Sequence, residues 1–278
     1  MYRQDDGVRL ATWNVNSVTA RLPRLLDWLE TAGPDVLCLQ ETKTSVEAFP
    51  AEELRALGYE SAVVGQGRWN GVAVLSRVGL DDVETGFAGQ PSWDADIAAD
   101  TLFADGAGIV EARAVGATCG PLRVWSLYVP NGREPSHPHY AYKLAWLEAY
   151  RAAVADEVAA GSFVTCGDFN VAPTDADVWD VADFVGSTHV TEPERAALAG
   201  LRALGLHDVL PRPLKYDKPY TYWDYRAGMF HKNKGMRIDL VYADAIVAGV
   251  VLDAYVDRNA RKGTGPSDHA PLVVDLDL

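Results

Sequence analysis

Four carboxylates and one imidazole stand in short, turn-like contexts scattered along this chain: Glu41 in Gln40-Glu41-Thr42-Lys43, Asp168 in Gly167-Asp168-Phe169-Asn170, Asp239 in Arg237-Ile238-Asp239, and Asp268 with His269 in Ser267-Asp268-His269. Asn14 and Asn16, in Trp13-Asn14-Val15-Asn16, add two carboxamides. Metal-assisted hydrolysis of a phosphodiester needs a hard cation on the phosphate oxygens, a positioned water, and a donor for the developing negative charge. Carboxylates, carboxamides and one histidine can supply all three. Oxygen donors suit Mg²⁺, with Mn²⁺ as a substitute, whereas zinc would call for His and Cys.

Strand ends must bring these groups together. Glu41 follows the apolar run Val36 to Leu39, and Asn14 follows Val8 to Thr12, with Asn16 on the same side if the segment stays extended. On its residues alone, Glu41 is equally an exposed surface carboxylate, and turn capping accounts for the two asparagines. Asp168 and Asn170 would share one side of an extended segment and hold a water or phosphate oxygen between them; an Asx-turn ending the strand Phe163 to Cys166 is the simpler alternative. His269 lies between Pro266 and Pro271. Asp239 is expected to hydrogen-bond its imidazole and favour the protonated form, leaving the other ring nitrogen for a phosphate. His137, His139, His189, His207 and His231 read as structural.

The strand-like runs are Val8 to Trp13, Val36 to Gln40, Val72 to Ser76, Ile109 to Val115, Leu122 to Val129, Phe163 to Cys166, Ile238 to Tyr242, Val247 to Tyr255 and Leu272 to Leu276. Helical spacing predicts helices over Arg21 to Glu30, Tyr140 to Val158 (Leu144, Leu147 and Tyr150 on one side) and Pro193 to Leu204. Such a series suits two sheets packed face to face with helices outside, and equally a doubly wound parallel sheet.

The 278 residues are expected to form one domain spanning 1–278. No apolar run reaches membrane-spanning length, and Met1 to Leu10 lacks the apolar stretch of a signal peptide, so a soluble cytoplasmic protein with no membrane partner is expected. Cys38, Cys119 and Cys166 have no metal-type spacing and read as small buried hydrophobes. A net charge of −14 argues against binding nucleic acid by bulk electrostatics. The charge is segregated, however. Asp81, Asp82, Glu84, Asp94, Asp96, Asp100 and Asp105 carry −7 in a stretch without Lys or Arg, which reads as a surface loop. From Pro211 to Asp239, seven basic residues face three acidic ones, a net of +4.

Taken in order, the blocks TWNVNSVTAR (12–21), LQETK (39–43), GVAVLSR (71–77), LYVPNG (127–132), GDFNVAP (167–173), YWDYRAG (222–228), NKGMRIDL (233–240) and SDHAP (267–271) resemble the exonuclease III family of abasic-site endonucleases and 3′-exonucleases, across nearly the whole chain. That resemblance selects the four-layer α/β sandwich: two mixed β-sheets face to face with helices on both outer faces. It implies a Mg²⁺-dependent phosphodiesterase that incises DNA 5′ to abasic sites and trims nucleotides or blocking groups from 3′ ends, acting on duplex DNA with abasic sites, nicks or 3′ ends, as a monomer. Asn14, Glu41 and Asp268 would hold the metal. Asp168, with Asn170, would orient or deprotonate the water, and His269, Asp239 and Tyr128 would stabilise the phosphorane. Asn131 would lie on the nucleic acid.

The stretch Tyr220 to Phe230 interleaves aromatics with Arg226 and runs into His231, Lys232, Asn233 and Lys234. Apolar rings can cover an empty deoxyribose while cations take phosphates. Trp223, Phe230, Met236 and Ile238 are the expected pocket, with core packing the alternative for each. Asn70-Gly71 departs from the family's paired glycine, and the acidic 81–105 stretch is divergent. Phosphatases and phosphodiesterases acting on phosphoinositides, sphingomyelin or RNA tails share this architecture, and a non-catalytic DNA-binding protein is the third reading.

Overall fold

The computed structural model describes residues 7–93, 108–214 and 218–278. Asp94, Asp96, Asp100 and Asp105 of the acidic stretch, Lys215 of the basic one and the first six residues lie outside them.

In chain order the first sheet takes β1 (Val8–Asn14), β2 (Val36–Gln40), β3 (Glu60–Val64) and β4 (Val72–Ser76). The second takes β5 (Asp81–Thr85), β6 (Ala114–Cys119), β7 (Leu122–Tyr128), β8 (Phe163–Asp168), β9 (His207–Asp208) and β10 (Asp239–Ala243), and the chain then returns to the first with β11 (Val251–Val256) and β12 (Leu272–Leu276). The helices are α1 (Val18–Ala32), α2 (Ala51–Ala56), α3 (Pro138–Ala153), α4 (Ala155–Ala160), α5 (Glu192–Ala203) and α6 (Ala245–Ala248). Strand order is β11-β12-β1-β2-β4-β3 in one sheet and β5-β6-β7-β8-β10-β9 in the other.

Among the described residues each sheet contains one parallel pair, β1 with β2 and β7 with β8, and every other pairing is antiparallel. A parallel pair needs a crossover, supplied here by α1 and by α3 with α4. Its consequence is positional: both strands end on the same edge. Asn14 pairs with Gln40, one residue before Glu41, and Tyr128 pairs with Asp168, which also faces Asp239 of β10.

Alternation along the strands makes the layers. Leu10, Val36, Cys38, Val124, Val164 and Cys166 turn inward to a core between the sheets. The intervening Ala11, Trp13, Leu37 and Leu39 face outward beneath Leu25, Trp28 and Leu29 of α1. On the far side Trp146, Leu147 and Tyr150 of α3 and Leu198 and Leu201 of α5 cover Trp125, Leu127, Phe163 and Tyr242. The result is the four-layer sandwich. Just below the shared edge, Gln40 donates to Thr12 and Ser126 (both 3.0 Å), and Ser126 donates to the Leu39 carbonyl (3.1 Å), fastening the sheets together.

Several elements differ from the sequence expectations. The predicted strand Ile109 to Val115 begins only at Ala114 and continues through the small residues Gly116, Ala117 and Thr118; a Cβ on Gly116 would strike the Trp125 ring at 2.6 Å. Residues 81–85 are not loop: they form an exposed edge strand paired with β6, whose acidic side chains face water. The run Val247 to Tyr255 divides, because Asp244 caps a short helix by accepting from the Val247 amide (2.8 Å) before β11 starts. The long helix predicted over 140–158 breaks at Val154. Of its predicted face, Leu147 and Tyr150 are buried and Leu144 is half-buried. Among the described residues, no helix is long and apolar enough to cross a membrane.

Candidate active site

Where the four strand ends converge, Asn14 is fully buried and its Nδ2 donates to Glu41 Oε1 (2.8 Å) and Asp168 Oδ2 (2.9 Å). One amide from the first sheet therefore spans a carboxylate of each sheet. Glu41 leaves β2 in the left-handed region (φ 50°), a conformation that costs a non-glycine residue about 1 kcal/mol or more. The turn is held from outside: Ser17 N donates to the Glu41 carbonyl (2.7 Å), Thr42 N to Gly71 (3.1 Å) and Lys43 N to Asn70 (2.9 Å). Gly71 (φ 93°) could not carry a Cβ, which would lie 2.1 Å from Thr42 Oγ1. Asn70 (φ 57°) stands where the family has its other glycine, and asparagine is among the few residues that tolerate this backbone.

Asn16 and Asn170 correct the extended-segment expectation. Both turn left-handed (φ 45° and 50°). Asn16 is linked to Asn14 by its own amide (N to Oδ1, 3.0 Å) and donates Nδ2 to Asp268 Oδ1 (3.0 Å). Asn170 forms the Asx-turn, its amide donating to Asp168 Oδ1 (2.9 Å), while its side chain donates to the Val129 carbonyl and accepts from Asn131 Nδ2 (3.2 Å). Strand end and functional pair are thus one structure.

His269 is held rigidly. Its Nδ1 donates to Asp239 Oδ2 (2.7 Å), its carbonyl accepts from Trp13 Nε1 (3.1 Å), and its amide donates to Ser267 Oγ (3.2 Å). The free Nε2 lies 3.8 Å from Asp168 Oδ2. Burial disfavours the charged ring, but Asp239, Asp168 and Asp268 outweigh it and push the imidazole up to about 10. Burial, with Asp239 and Glu41 close by, raises Asp168 above the ordinary carboxyl range against the opposing pull of His269 and Asn14. Glu41 behaves otherwise: burial works against its charge, yet Lys43 (2.7 Å) and Asn14 hold its carboxyl below the usual range. Burial raises the Tyr128 hydroxyl, whose ring lies 4.7 Å from the Arg113 guanidinium.

The ligand atoms of Glu41, Asp168 and His269 lie within 4.8 Å of one another. Asp268 is reached through the hydrogen-bonded row Glu41, Asn14, Asn16, Asp268. Four carboxylates, Glu41, Asp168, Asp239 and Asp268, face one lysine and one protonated imidazole, an excess of negative charge that a divalent cation would balance. The hard oxygen donors fit Mg²⁺ or Mn²⁺.

Of the expected nucleic-acid residues, Asn131, Arg226 and Lys232 are exposed, and Phe230 and Asn233 are half-buried. Trp223 is a correction: it is fully buried, with Gly235 packed on its ring, and takes the core-packing role inside the loop. Met236 and Ile238 are likewise buried, at 6% and 2% exposure, against Val178 and Ala172. Arg258 and Arg261 cover Phe230 (4.3 and 5.1 Å) and donate to the Phe230 and Trp223 carbonyls, fixing the loop from the opposite side. Two site neighbours were missed. Tyr222, half-exposed, sits 4.9 Å from the His269 ring, and alternation cannot tell which of Tyr222 and Trp223 faces the cleft. Lys43 pairs with Glu41; a cation two residues after the carboxylate was the available signal.

A profile described as the endonuclease/exonuclease/phosphatase family matches residues 11–269. Exodeoxyribonuclease III of Haemophilus influenzae is 29% identical over 278 residues, 95% of this chain and 98% of that one. Among solved structures, the 3′ phosphatase NExo from Neisseria, bound to a product DNA hairpin, superposes with a TM-score of 0.86 at 34% identity, covering 98% of this chain and 100% of that one. An AP endonuclease from Archaeoglobus fulgidus gives 0.86 at 32% identity with the same coverage.

Proposed function

The chain belongs to the endonuclease/exonuclease/phosphatase family, and on that premise we propose that it is a Mg²⁺-dependent DNA repair phosphodiesterase that incises duplex DNA 5′ to abasic sites and removes nucleotides or blocking groups from 3′ ends. The observation that carries this reading is the meeting of Glu41, Asp168 and His269 at the common edge of both sheets, with Asn14 donating to both carboxylates. Relatives named an exodeoxyribonuclease, a 3′ phosphatase and an AP endonuclease support the substrate class.

Glu41, with Asn14 and Asp268 along the same row, would hold the cation, which when bound supplies charge neutralisation to phosphate oxygens. Asp168 takes the proton from the attacking water. Its raised pKa brings it nearer to working pH, where a general base is most effective, and Asn170 fixes its other oxygen. His269, kept protonated by Asp239, donates from Nε2 to a phosphate oxygen as charge develops, and Tyr128 adds a hydroxyl donor. Asn131, Arg226, Phe230, Lys232 and Asn233 would meet the duplex. Because both sheets contribute to one site, we read 1–278 as a single catalytic domain. A monomer remains our proposal for its working state.

The test is a comparison of abasic, nicked and blunt duplexes, each with Mg²⁺, Mn²⁺ or chelator. Cleavage at the abasic site with Mg²⁺ and none with chelator is expected. Intact DNA beside a hydrolysed phospholipid would reverse the assignment.

A further inference from the structure

Behind the catalytic edge lies an ion pair that packing alone does not explain. Lys143 of α3 and Glu194 of α5 are both fully buried and bonded to each other. Burying two charges costs several kcal/mol per ion before their attraction is counted, and apolar residues would join two helices as well or better. What apolar residues could not do is donate. Lys143 Nζ donates to the backbone carbonyls of Asn170 (2.7 Å) and Asn131 (3.2 Å), and to Thr188 Oγ1 (3.3 Å).

Those carbonyls belong to two loops, one after β7 and one after β8, that carry the hydrogen-bonded side chains of Asn131 and Asn170. Asn170 needs the support, since its backbone is left-handed and its amide fixes Asp168. Gly132 packs directly on the lysine stem, where a Cβ would lie 3.1 Å from Lys143 Cδ. Glu194 anchors the cation in turn: one oxygen accepts from Thr188 Oγ1 (2.5 Å) and His189 N (2.9 Å), the other from Thr191 N (3.1 Å) and Oγ1 (2.7 Å) at the start of α5. His189 Nδ1 meets the same Asn170 carbonyl at 2.5 Å.

We propose that Lys143, anchored by Glu194, is a positioning residue that sets the Asn131 and Asn170 loops at catalytic geometry, and that it acts mainly on turnover, through Asn170 and Asp168, and less on substrate binding, through Asn131. The inference rests on the function proposed above. An error of about 1 Å in placing a catalytic group is enough to cost roughly a hundredfold in rate.

The test replaces the pair with apolar residues, K143M together with E194L, and compares it with K143R. The apolar pair removes both charges together, so it avoids an unpaired buried charge, but it leaves the Asn131 and Asn170 carbonyls and the Thr191 amide without these partners and is expected to fold with a lower melting temperature. Its kcat on an abasic duplex with Mg²⁺ should fall roughly ten- to a hundredfold, with KM rising by about fivefold at most. Amides of residues 129–133 and 169–172 should exchange about tenfold faster or more, with β7 and β8 unchanged. K143R, which keeps the charge and a donor, should hold kcat within about fivefold. A folded apolar pair with wild-type turnover and unaltered loop exchange overturns the proposal. If that variant does not fold, K143R decides, and a K143R loss as deep as that of K143M alone overturns it. The exchange measurement needs no substrate: flat exchange counts against the positioning role, while a wild type that cleaves no DNA counts against the function.

Discussion

Asn14 and Asp168 lie 154 positions apart and on different sheets, yet the amide of one donates to the carboxylate of the other at 2.9 Å in a buried setting. The same amide holds Glu41 at 2.8 Å. Two carboxylates that would otherwise repel across the gap between the sheets are kept together by one side chain that only donates to them.

Asn14→Asp should therefore be worse than Asn14→Ala. A third carboxylate cannot donate to Glu41 and Asp168, and it adds like charge in a low-dielectric site. Both variants should lower turnover, by roughly a hundredfold or more. Both should melt lower than the wild type near neutral pH, N14D by more, and N14D should recover further as the pH falls and one acid is protonated. Melting temperatures at pH 8 and pH 5 decide this. Equal melting of the two variants at both values would remove charge repulsion from the explanation.

The raised His269 pKa carries a sign that metal-free protein will reveal. Its folded value is about 10 against an ordinary value of 6.5, so its contribution to stability is fully present below 6.5 and is lost as pH rises through 10. In chelator, wild-type stability should decline across that window, and the decline should flatten in His269→Asn. The same variant should lose at least ~10²-fold in hydrolysis with Mg²⁺. Asp239→Asn should move the alkaline limb of the rate profile down toward pH 6.5, since the partner that keeps the ring charged is gone.

Metal dependence can be separated from catalysis by melting. A cation that binds only the folded state raises the melting temperature, and raises it further the more its concentration exceeds its dissociation constant. Millimolar Mg²⁺ should raise it for the wild type and much less for Glu41→Gln, which loses the carboxylate that Lys43 and Asn14 hold ionised. Chelator should abolish cleavage in the wild type. An E41Q protein stabilised by Mg²⁺ as much as the wild type would move the ion away from Glu41.

Much of this site could be read from the chain because its strands end where its chemistry begins. Val36 to Gln40 and Leu272 to Leu276 are found as strands with the bounds their apolar runs imply, and the residues that follow or precede them carry function. What pattern could not supply was direction. Asn16, Glu41 and Asn170 all adopt left-handed backbone, so the two-residue alternation that would have put neighbours on one face stops at the strand end. The rest of β6 was hidden because Gly116 is small for a reason seen only in three dimensions, the Trp125 ring lying against it. Lys143 and Glu194, 51 positions apart in sequence, look like ordinary surface charges on amphipathic helices until both are found with no exposure at all.

Trp223 and Lys232 were expected to serve one interface, and the structure gives them opposite environments, so their substitutions should separate cleanly. Trp223 is fully buried, edge-on to Phe230 at 5.2 Å, and donates Nε1 to Asn233 Oδ1 (3.2 Å). Trp223→Ala opens a cavity and removes the indole's hydrogen bond to the loop, which should cost roughly 3–5 kcal/mol and appear as a lower urea midpoint. Lys232 is exposed and free to meet a phosphate. Lys232→Ala should leave the urea midpoint alone and weaken duplex binding regardless of sequence or lesion, reducing the slope of log affinity against log salt by about one. With a net charge of −14, the protein depends on such local cations to approach DNA at all, so the effect should be largest at low salt. A salt slope unchanged by K232A would place the duplex elsewhere, and a W223A protein as stable as the wild type would mean the ring is not the loop's support.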